Sequence, residues 1–225
     1  MPKNDHHTQF LQFALNCGVL KFGSFVTKAG RTSPYFFNAG LFNTGGKLHA
    51  LSQFYAQTII AAQSQGFVFD VLFGPAYKGI TLAAATAAAM AADHRQDIPF
   101  VYNRKEAKDH GEGGTLVGAP LAGRVLIIDD VISAGTSVRE SVNLIRAAGA
   151  TPAGVLIALD RMERGGTADA PTALSAVQEV AALYDIPVFA IANLSDLLGW
   201  LDTTDNVEVK THAAAVQAYR AKFGV

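Results

Sequence analysis

The chain has 225 residues, of which 50% are hydrophobic and 16% charged, and its formal net charge is -1. This length suits one domain with additions, or at most two small domains, and it supports a large buried core. The near balance of 19 acidic and 18 basic residues argues against the broad basic field of sequence-independent nucleic-acid binding and against a highly charged disordered chain. A charged ligand must therefore be bound by locally arranged charges.

The sequence carries no sign of secretion or of membrane insertion. Cys17 is the only cysteine, so neither an internal disulfide nor a cysteine metal cluster can form. Residues 1–9 lack the basic and then apolar order of a signal peptide, and the weakly polar stretch 80–92 is too short to span a bilayer. We predict a cytoplasmic protein without membrane or nucleic-acid partners. His6 and His7 are read as an exposed helix start rather than a metal site.

The first 65 residues differ in pattern from the rest and predict an accessory layer. Residues 7–16 have the spacing of an amphipathic helix, and residues 48–64 predict a second one. Between them, residues 22–38 read as two aromatic strands joined by a turn at 29–34. We therefore divide the chain into an accessory layer, 1–65, and a core, 66–225, within one structural domain.

The core alternates short apolar strands with helices. Strands are predicted at 69–73, 98–103, 124–129, 155–159 and 188–192, and helices at 82–92, 135–148, 173–183 and 213–223. Continuous apolar strands that alternate with helices are typical of a mostly parallel sheet covered on both faces. The fold class is therefore α/β.

The segment that follows the most apolar strand has the chemistry of a ribose-phosphate site. Residues 133–137 are small, so that backbone N–H groups and hydroxyls can approach a phosphate at the start of the next helix. Asp129 and Asp130 cannot bind a phosphate, but they can accept hydrogen bonds from sugar hydroxyls or stabilise a nearby positive charge. A Walker A loop or a three-glycine dinucleotide loop does not fit. The alternative is a tight turn in which the two aspartates only cap the helix.

Five segments together resemble the orotate phosphoribosyltransferases, a family of the type I phosphoribosyltransferases. They are residues 125–137, 20–23, 28–38, 73–79 and 102–113, and the likeness extends over nearly the whole chain. The resemblance implies a central, mostly parallel sheet flanked by helices, an N-terminal hood layer and a flexible catalytic loop. It implies transfer of the 5-phosphoribosyl group from 5-phosphoribosyl 1-diphosphate to orotate, giving orotidine 5′-monophosphate and diphosphate in UMP biosynthesis. The alternatives are a phosphoribosyltransferase for another nucleobase and a non-catalytic sensor of phosphoribosyl diphosphate.

The resemblance also implies roles for individual residues. The expected catalytic residues are Lys108, His110, Asp129 and Asp130. The expected substrate-binding residues are Lys28, Phe36, Phe37, Tyr77, Lys78, Arg104, Lys105, Lys108, His110, Asp129, Asp130, Val131, Ile132, Ser133, Ala134, Gly135, Thr136, Ser137 and Arg161. No residue is assigned as a metal ligand, because Mg²⁺ is expected to be held mainly by the diphosphate substrate.

Several of these segments have plainer readings. Taken alone, residues 73–79 are also a simple strand-to-helix connection, and Phe36 and Phe37 also suit a hydrophobic core. Arg161 can bind the carboxylate of orotate or form a surface salt bridge with Glu163.

The loops give two further predictions. The polar segment 104–114 predicts a mobile loop, which the resemblance makes a hood that acts partly in the neighbouring subunit of a homodimer. The stretch 165–172 predicts a longer peripheral loop that leaves the site unchanged, and Ser133 stands where the family often has threonine.

Overall fold

The structure is a computed structural model that describes residues 5–27, 29–108, 114–133 and 135–225; the side chains of residues 107, 108 and 114 are outside this description. Within these ranges no helix has both the length and the apolar character needed to cross a bilayer.

Ten strands and eight α-helices make up the described chain. The strands are β1 Leu20–Val26, β2 Thr32–Phe37, β3 Val71–Gly74, β4 Phe100–Lys108, β5 Gly114–Gly118, β6 Arg124–Ile128, β7 Thr151–Asp160, β8 Arg164–Gly166, β9 Pro171–Ser175 and β10 Val188–Asn193. The helices are α1 His6–Asn16, α2 Gly45–Ser64, α3 Lys78–His94, α4 Thr136–Ala147, α5 Ala176–Tyr184, α6 Leu194–Thr203, α7 Val207–Lys210 and α8 Ala213–Phe223. A 3₁₀ turn, Ala39–Leu41, precedes α2.

Six strands form the central sheet in the order β10-β7-β6-β3-β4-β5. All neighbouring pairs are parallel except β4 and β5, which are antiparallel at one edge. The predicted α/β fold with a mostly parallel sheet is confirmed. Parallel strands are buried on both faces, and β6 fits this rule because its four apolar residues, Val125 to Ile128, are fully buried.

Helices cover both faces of the sheet, and alternate residues of β6 show this directly. Leu126 and Ile128 belong to a large apolar cluster that also contains residues of α1, α2, α3, α6 and α8. Val125 and Ile127 point to the other face and join residues of α4 and α5 in a second cluster. The alternation follows from the two-residue period of a strand.

The N-terminal layer consists of α1, the antiparallel hairpin of β1 and β2, and α2. Phe10 and Tyr35 lie in the same apolar cluster as Leu126 of the central sheet. A common cluster packs this layer directly on the core. The division at residue 65 stays a prediction.

His6 and His7 stand at the start of α1, and both also make contacts within the fold, although the side chain of His7 is 45% exposed. The ring nitrogens of His6 lie 2.8 Å from Gln57 Oε1 and 3.0 Å from Thr58 Oγ1, both on α2. His7 Nδ1 lies 2.6 Å from the carbonyl oxygen of Ile191 on β10. The two histidines therefore fasten α1 to its neighbours.

Two predicted boundaries are wrong. Residues 104–108, predicted as part of a loop, extend β4, and its antiparallel pairing with β5 is regular at residues 101–103, then irregular, and resumes at Lys108 opposite Gly114. The helix predicted from residue 173 begins at Ala176, where Ser175 and Gln178 form a capping box. The residues before it pair with β8 as a hairpin, which the sequence reading described as a peripheral loop.

Candidate active site

The carboxyl ends of β3, β4, β6 and β7 meet at one edge of the central sheet, where parallel sheets bind ligands. β6 leads into residues 129–137 and α4, and β3 leads into residues 75–77 and α3. β7 ends at Asp160, directly before Arg161. The sheet order therefore brings the predicted ribose-phosphate and diphosphate segments side by side.

Asp129 is a buried carboxylate held by two hydrogen bonds. Its Oδ1 accepts from the backbone N–H of Asp130 and its Oδ2 accepts from the hydroxyl of Ser137, both at 2.9 Å. Burial, followed by the charge of Asp130, raises the pKa of Asp129 from 3.8 to about 6, although the two hydrogen bonds oppose the shift. A carboxylate that is kept partly desolvated is strongly attracted to a positive charge beside it.

The backbone of the acidic pair is fixed from both sides. The buried hydroxyl of Tyr55, on α2, donates to the carbonyl oxygen of Asp129 at 2.7 Å. The carbonyl oxygen of Asp130 accepts from the backbone N–H of Ala158 on β7 at 2.9 Å. The carboxylates are thereby presented at the sheet edge in a defined orientation.

The N-terminus of α4 faces the same edge. Gly135 occupies the N-cap position and supplies no side chain that could bind the first backbone N–H groups of the helix. Thr136 is exposed and Ser133 is exposed, whereas Val131 and Ile132 are partly buried. Uncapped N–H groups together with the helix dipole attract a phosphate. Ala134 lies outside the described residues.

The segment between β3 and α3 packs tightly against β6. A Cβ atom at Gly79 would lie 2.8 Å from the carbonyl oxygen of Ile128, so only glycine permits this approach. Lys78 Nζ lies 2.6 Å from Asp130 Oδ2, while Tyr77 is 72% exposed. The backbone N–H of Ala76 donates to Asn103 Oδ1 of β4 at 2.9 Å. Contacts with both neighbouring strands thus position the segment.

Arg161 forms a partly buried cluster with Glu163, Ser33 and Tyr35. Its Nε and Nη2 donate to Glu163 Oε1 at 2.8 and 2.6 Å, and Nη2 also donates to Ser33 Oγ at 3.1 Å. The guanidinium carbon lies 4.6 Å from the centre of the Tyr35 ring. The salt bridge with Glu163 therefore forms, but its side chains are only 20% and 15% exposed, so it is not a surface pair. Nε and Nη2 are engaged on one side of the guanidinium.

The two aromatic residues of β2 alternate as a strand requires. Phe37 is buried, whereas Phe36 is 41% exposed and stacks on Phe25 of β1 with a centroid distance of 5.5 Å. One member of the pair therefore belongs to the core and the other to the surface of the hairpin. Lys28 lies outside the described residues.

The basic residues of β4 have different surroundings. Lys105 Nζ lies 3.5 Å from Glu140 Oε2 on α4 in an exposed pair, and Arg104 is partly buried. The side chain of Lys108 and the whole of His110 lie outside the described residues.

Known proteins resemble this chain closely. The phosphoribosyl transferase domain matches residues 45–181. The orotate phosphoribosyltransferase of Herminiimonas arsenicoxydans is 64% identical over 223 residues, which are 99% of each chain. The chain belongs to the orotate phosphoribosyltransferase family. It is a transferase that moves a pentosyl group in pyrimidine biosynthesis.

Other members of the orotate phosphoribosyltransferase family agree with this assignment. The enzyme of that name from Cupriavidus necator is 65% identical over 216 residues, 96% of this chain and 93% of that relative. A crystal structure of the orotate phosphoribosyltransferase of Francisella tularensis superimposes with a TM-score of 0.84 and 40% identity over 96% of this chain and all of the other. The type I phosphoribosyltransferase fold is therefore confirmed.

The family implies Mg²⁺, and the donors at the sheet edge fit an ion that arrives with its substrate. In the described ranges, no group of three or more His, Cys, Asp or Glu side chains could enclose a metal. Both oxygens of Asp129 accept hydrogen bonds, and Asp130 is paired with Lys78. Mg²⁺ prefers to keep water and phosphate oxygens as ligands, so an ion carried by the diphosphate would need no protein cage at this edge.

The sequence did not identify three residues that hold candidate site residues in place. Tyr55 lies in a helix that carried no motif, and only its contact with Asp129 singles it out. Asn103 stood within a recognised segment, but nothing in the spacing indicated that it binds Ala76. Ser33 likewise gave no signal of its contact with Arg161.

Proposed function

We propose that this chain joins N1 of orotate to C1′ of 5-phosphoribosyl 1-diphosphate, forming orotidine 5′-monophosphate and releasing diphosphate, and that the residues at the sheet edge perform this transfer. The observation that supports it best is the buried pair Asp129 and Asp130 at the end of β6, next to the uncapped N-terminus of α4. Carboxylates for a sugar and N–H groups for a phosphate, side by side, suit a ribose 5-phosphate. Family membership favours orotate as the acceptor.

Residues 131–137 bind the 5-phosphate in this proposal. Backbone N–H groups of the first turn of α4 and the hydroxyls of Ser133 and Thr136 donate to its oxygens. Val131, Ile132, Ala134 and Gly135 contribute backbone rather than side-chain groups. The Ser137 hydroxyl donates to Asp129, so it acts by orienting that carboxylate.

The transfer itself needs positioning and electrostatics, and no enzyme nucleophile. As the bond to diphosphate breaks, C1′ becomes cationic, and the carboxylates of Asp129 and Asp130 stabilise it while accepting hydrogen bonds from the ribose hydroxyls. Lys78, with the backbone around Tyr77, binds the diphosphate and stabilises the charge of the leaving group. Mg²⁺, when bound to the diphosphate, neutralises part of that charge.

Arg161 and the β2 aromatics are assigned to the acceptor side, and Lys28 to the reactant phosphates. The Nη1 side of the Arg161 guanidinium pairs with the carboxylate of orotate, since Nε and Nη2 already donate to Glu163. Backbone groups of Phe36 and Phe37 meet the pyrimidine ring, and Lys28 reaches the reactant phosphates.

Residues 104–114 are proposed to close over the reactants. Arg104, Lys105, Lys108 and His110 contact the diphosphate, and closure keeps water from the cationic ribose. Part of this segment acts in the site of a second subunit, so that the active form is a homodimer. The cytoplasm is the proposed location.

A direct assay tests the function. Purified protein with Mg²⁺, phosphoribosyl diphosphate and orotate is expected to consume orotate and form an equal amount of orotidine 5′-monophosphate, followed by absorbance and chromatography. Parallel reactions with uracil, adenine, guanine and hypoxanthine should give little or no product. Turnover of one of these bases in place of orotate would indicate another acceptor, and binding of the donor without any turnover would indicate a sensor.

A further inference from the structure

One guanidinium joins two hairpins that are distant in the sequence. Arg31, in the turn between β1 and β2, donates to four successive carbonyl oxygens of β8 and the following turn. Nη1 donates to the carbonyl oxygen of Arg164 at 2.6 Å. Nη2 lies 2.9, 3.3 and 3.1 Å from the carbonyl oxygens of Gly165, Gly166 and Thr167. The hairpin at 164–175 is thus a fastened element rather than a peripheral loop.

This arrangement depends on the positive charge of Arg31. The side chain is almost completely buried, with only 3% of the residue exposed, and its charge lies among the negative ends of four carbonyl dipoles. Without the cation, these carbonyl oxygens would point at one another in a poorly hydrated space, which is unfavourable. Gly166 makes the convergence possible, because its φ is +75° and a Cβ atom would lie 2.3 Å from the carbonyl oxygen of Ala170.

The two hairpins joined by Arg31 are also the two that hold Arg161. Ser33, two residues after Arg31, accepts a hydrogen bond from the Arg161 guanidinium, and Glu163, one residue before Arg164, accepts two. A backbone hydrogen bond from the Ala168 N–H to the carbonyl oxygen of Ala29, at 3.1 Å, also joins the two hairpins. Arg31 therefore fixes the relative position of both partners of Arg161.

We propose that Arg31 is a positioning residue for the acceptor base, which acts by holding Ser33 and Glu163 in the places that orient Arg161. This inference rests on the proposed role of Arg161 in binding the orotate carboxylate. The donor side is held differently, because residues 129–137 and 75–79 follow strands of the central sheet and their described contacts do not include Arg31. Loss of Arg31 should therefore affect orotate and spare the ribose donor.

Steady-state kinetics of Arg31→Ala test the proposal. We expect the KM for orotate to rise about tenfold, the KM for phosphoribosyl diphosphate to change by less than about threefold, and kcat at saturation to fall only slightly. Arg164→Ala is the matched control, because it removes an arginine side chain from the same hairpin, with its bond to the Gly224 carbonyl oxygen, and leaves the four carbonyls on Arg31. It should keep both Michaelis constants near those of the wild type.

Chemical rescue distinguishes positioning from a general loss of structure. A groove of about 630 Å³ lies beside Arg31, between the β1–β2 hairpin and α8, so that a small cation can reach the vacated place. Millimolar guanidinium chloride should lower the KM of Arg31→Ala for orotate, whereas sodium chloride at equal ionic strength should not. If Arg31→Ala does not fold, Arg31→Lys supplies the same measurement, because an ammonium keeps the charge but cannot reach all four carbonyls.

Two outcomes would overturn the proposal. An equal rise of both Michaelis constants would place the effect on the phosphate contacts of this turn instead of on Arg161. An unchanged KM for orotate, together with faster amide hydrogen exchange in residues 164–175, would make Arg31 purely structural. Failure of the proposed function would look different, since the wild type itself would then not turn over orotate.

Discussion

Lys78 Nζ lies 2.6 Å from Asp130 Oδ2, so the segment proposed for diphosphate and the segment proposed for ribose are joined by an ion pair. The pair is uneven, because the lysine side chain is 54% exposed and the aspartate only 11%. The diphosphate proposed to bind Lys78 and the ribose hydroxyls proposed to bind Asp130 therefore compete with this ion pair. Binding of phosphoribosyl diphosphate should therefore separate Lys78 from Asp130.

Substitutions of Lys78 and Asp130 should change the affinity for diphosphate in opposite directions. Lys78→Met should weaken binding of inorganic diphosphate about tenfold, because a direct charge contact is lost. Asp130→Asn should strengthen it about two- to fivefold, since the ammonium no longer has a competing carboxylate. Calorimetric titration with magnesium diphosphate measures both. Weaker binding by Asp130→Asn would contradict the competition.

Asp129→Asn should make the protein more stable at pH 8 while it greatly lowers turnover. The pKa of Asp129 is raised from 3.8 to about 6, so folding favours the protonated carboxyl, and its contribution to stability, fully present below pH 3.8, is lost as the pH rises through about 6. The neutral amide avoids this loss. We expect a gain of about 1–3 kcal/mol in the free energy of unfolding at pH 8 and roughly half of it at pH 5.

Urea denaturation of both proteins at the two pH values measures this difference. Ser137→Ala serves as a control, because it removes a hydrogen bond to the same carboxylate without removing its charge. A gain that is equal at pH 5 and pH 8 would show that the titration of Asp129 is not its cause.

Arg161→Lys should raise the KM for orotate about 10- to 100-fold, because a lysine cannot form the forked pair with a carboxylate while it also binds Glu163. Glu163→Gln keeps an acceptor oxygen at the same position and should change this KM by less than about threefold. Initial rates at saturating phosphoribosyl diphosphate give both values. An Arg161→Lys variant with wild-type KM would remove Arg161 from the acceptor site.

Asn103→Leu should raise the KM for phosphoribosyl diphosphate about five- to tenfold with little change for orotate. It removes the acceptor of the Ala76 backbone N–H, and the segment before Lys78 then loses its contact with β4. Asn103→Asp is the control, since it retains an oxygen that can accept this hydrogen bond. The prediction fails if Asn103→Asp and Asn103→Leu have the same KM.

Two inactive variants should restore activity when they are mixed, if Lys108 acts in the neighbouring subunit. Each site of a homodimer would then combine Asp129 of one chain with Lys108 of the other. When equal amounts of Lys108→Ala and Asp129→Asn chains reassociate, about half of the dimers are mixed, and one of the two sites in each mixed dimer is intact. The mixture should therefore reach about a quarter of the wild-type rate. No recovery, in a sample shown to contain mixed dimers, would place Lys108 in the site of its own chain.

The sequence predicted the central sheet well because its signals are local. Val125 to Ile128 form a short apolar run, and such a run between helices has few alternatives to a buried parallel strand. The prediction of a ribose-phosphate segment also rests on local signals, since small and acidic residues follow that strand directly, and it stays a prediction. Both predictions depend only on residues that are close together in the sequence.

The rest depends on contacts between distant residues, and the sequence carries little sign of them. Residues 104–108 are mostly charged, and their place in β4, beside β5, could not be read from that composition. Nothing near Arg31 indicates that its partners lie 133 to 136 residues further along. The salt bridge of Arg161 with Glu163 was one of two alternatives open from the sequence; the structure contains it, and the binding of orotate by Arg161 stays a proposal.

The order β6-β3-β4 in the sheet places the strands before the three segments proposed to bind the reactants at the distance between hydrogen-bonded strands, about 4.8 Å. The spacing of these strands is fixed by backbone hydrogen bonds, so the segments proposed to bind the phosphorylated sugar stay at fixed distances from one another. In the proposed assignment, the acceptor base is positioned separately, by two hairpins joined through Arg31 outside that sheet. On that assignment, a change of preferred base would require changes in these hairpins and none in the central sheet.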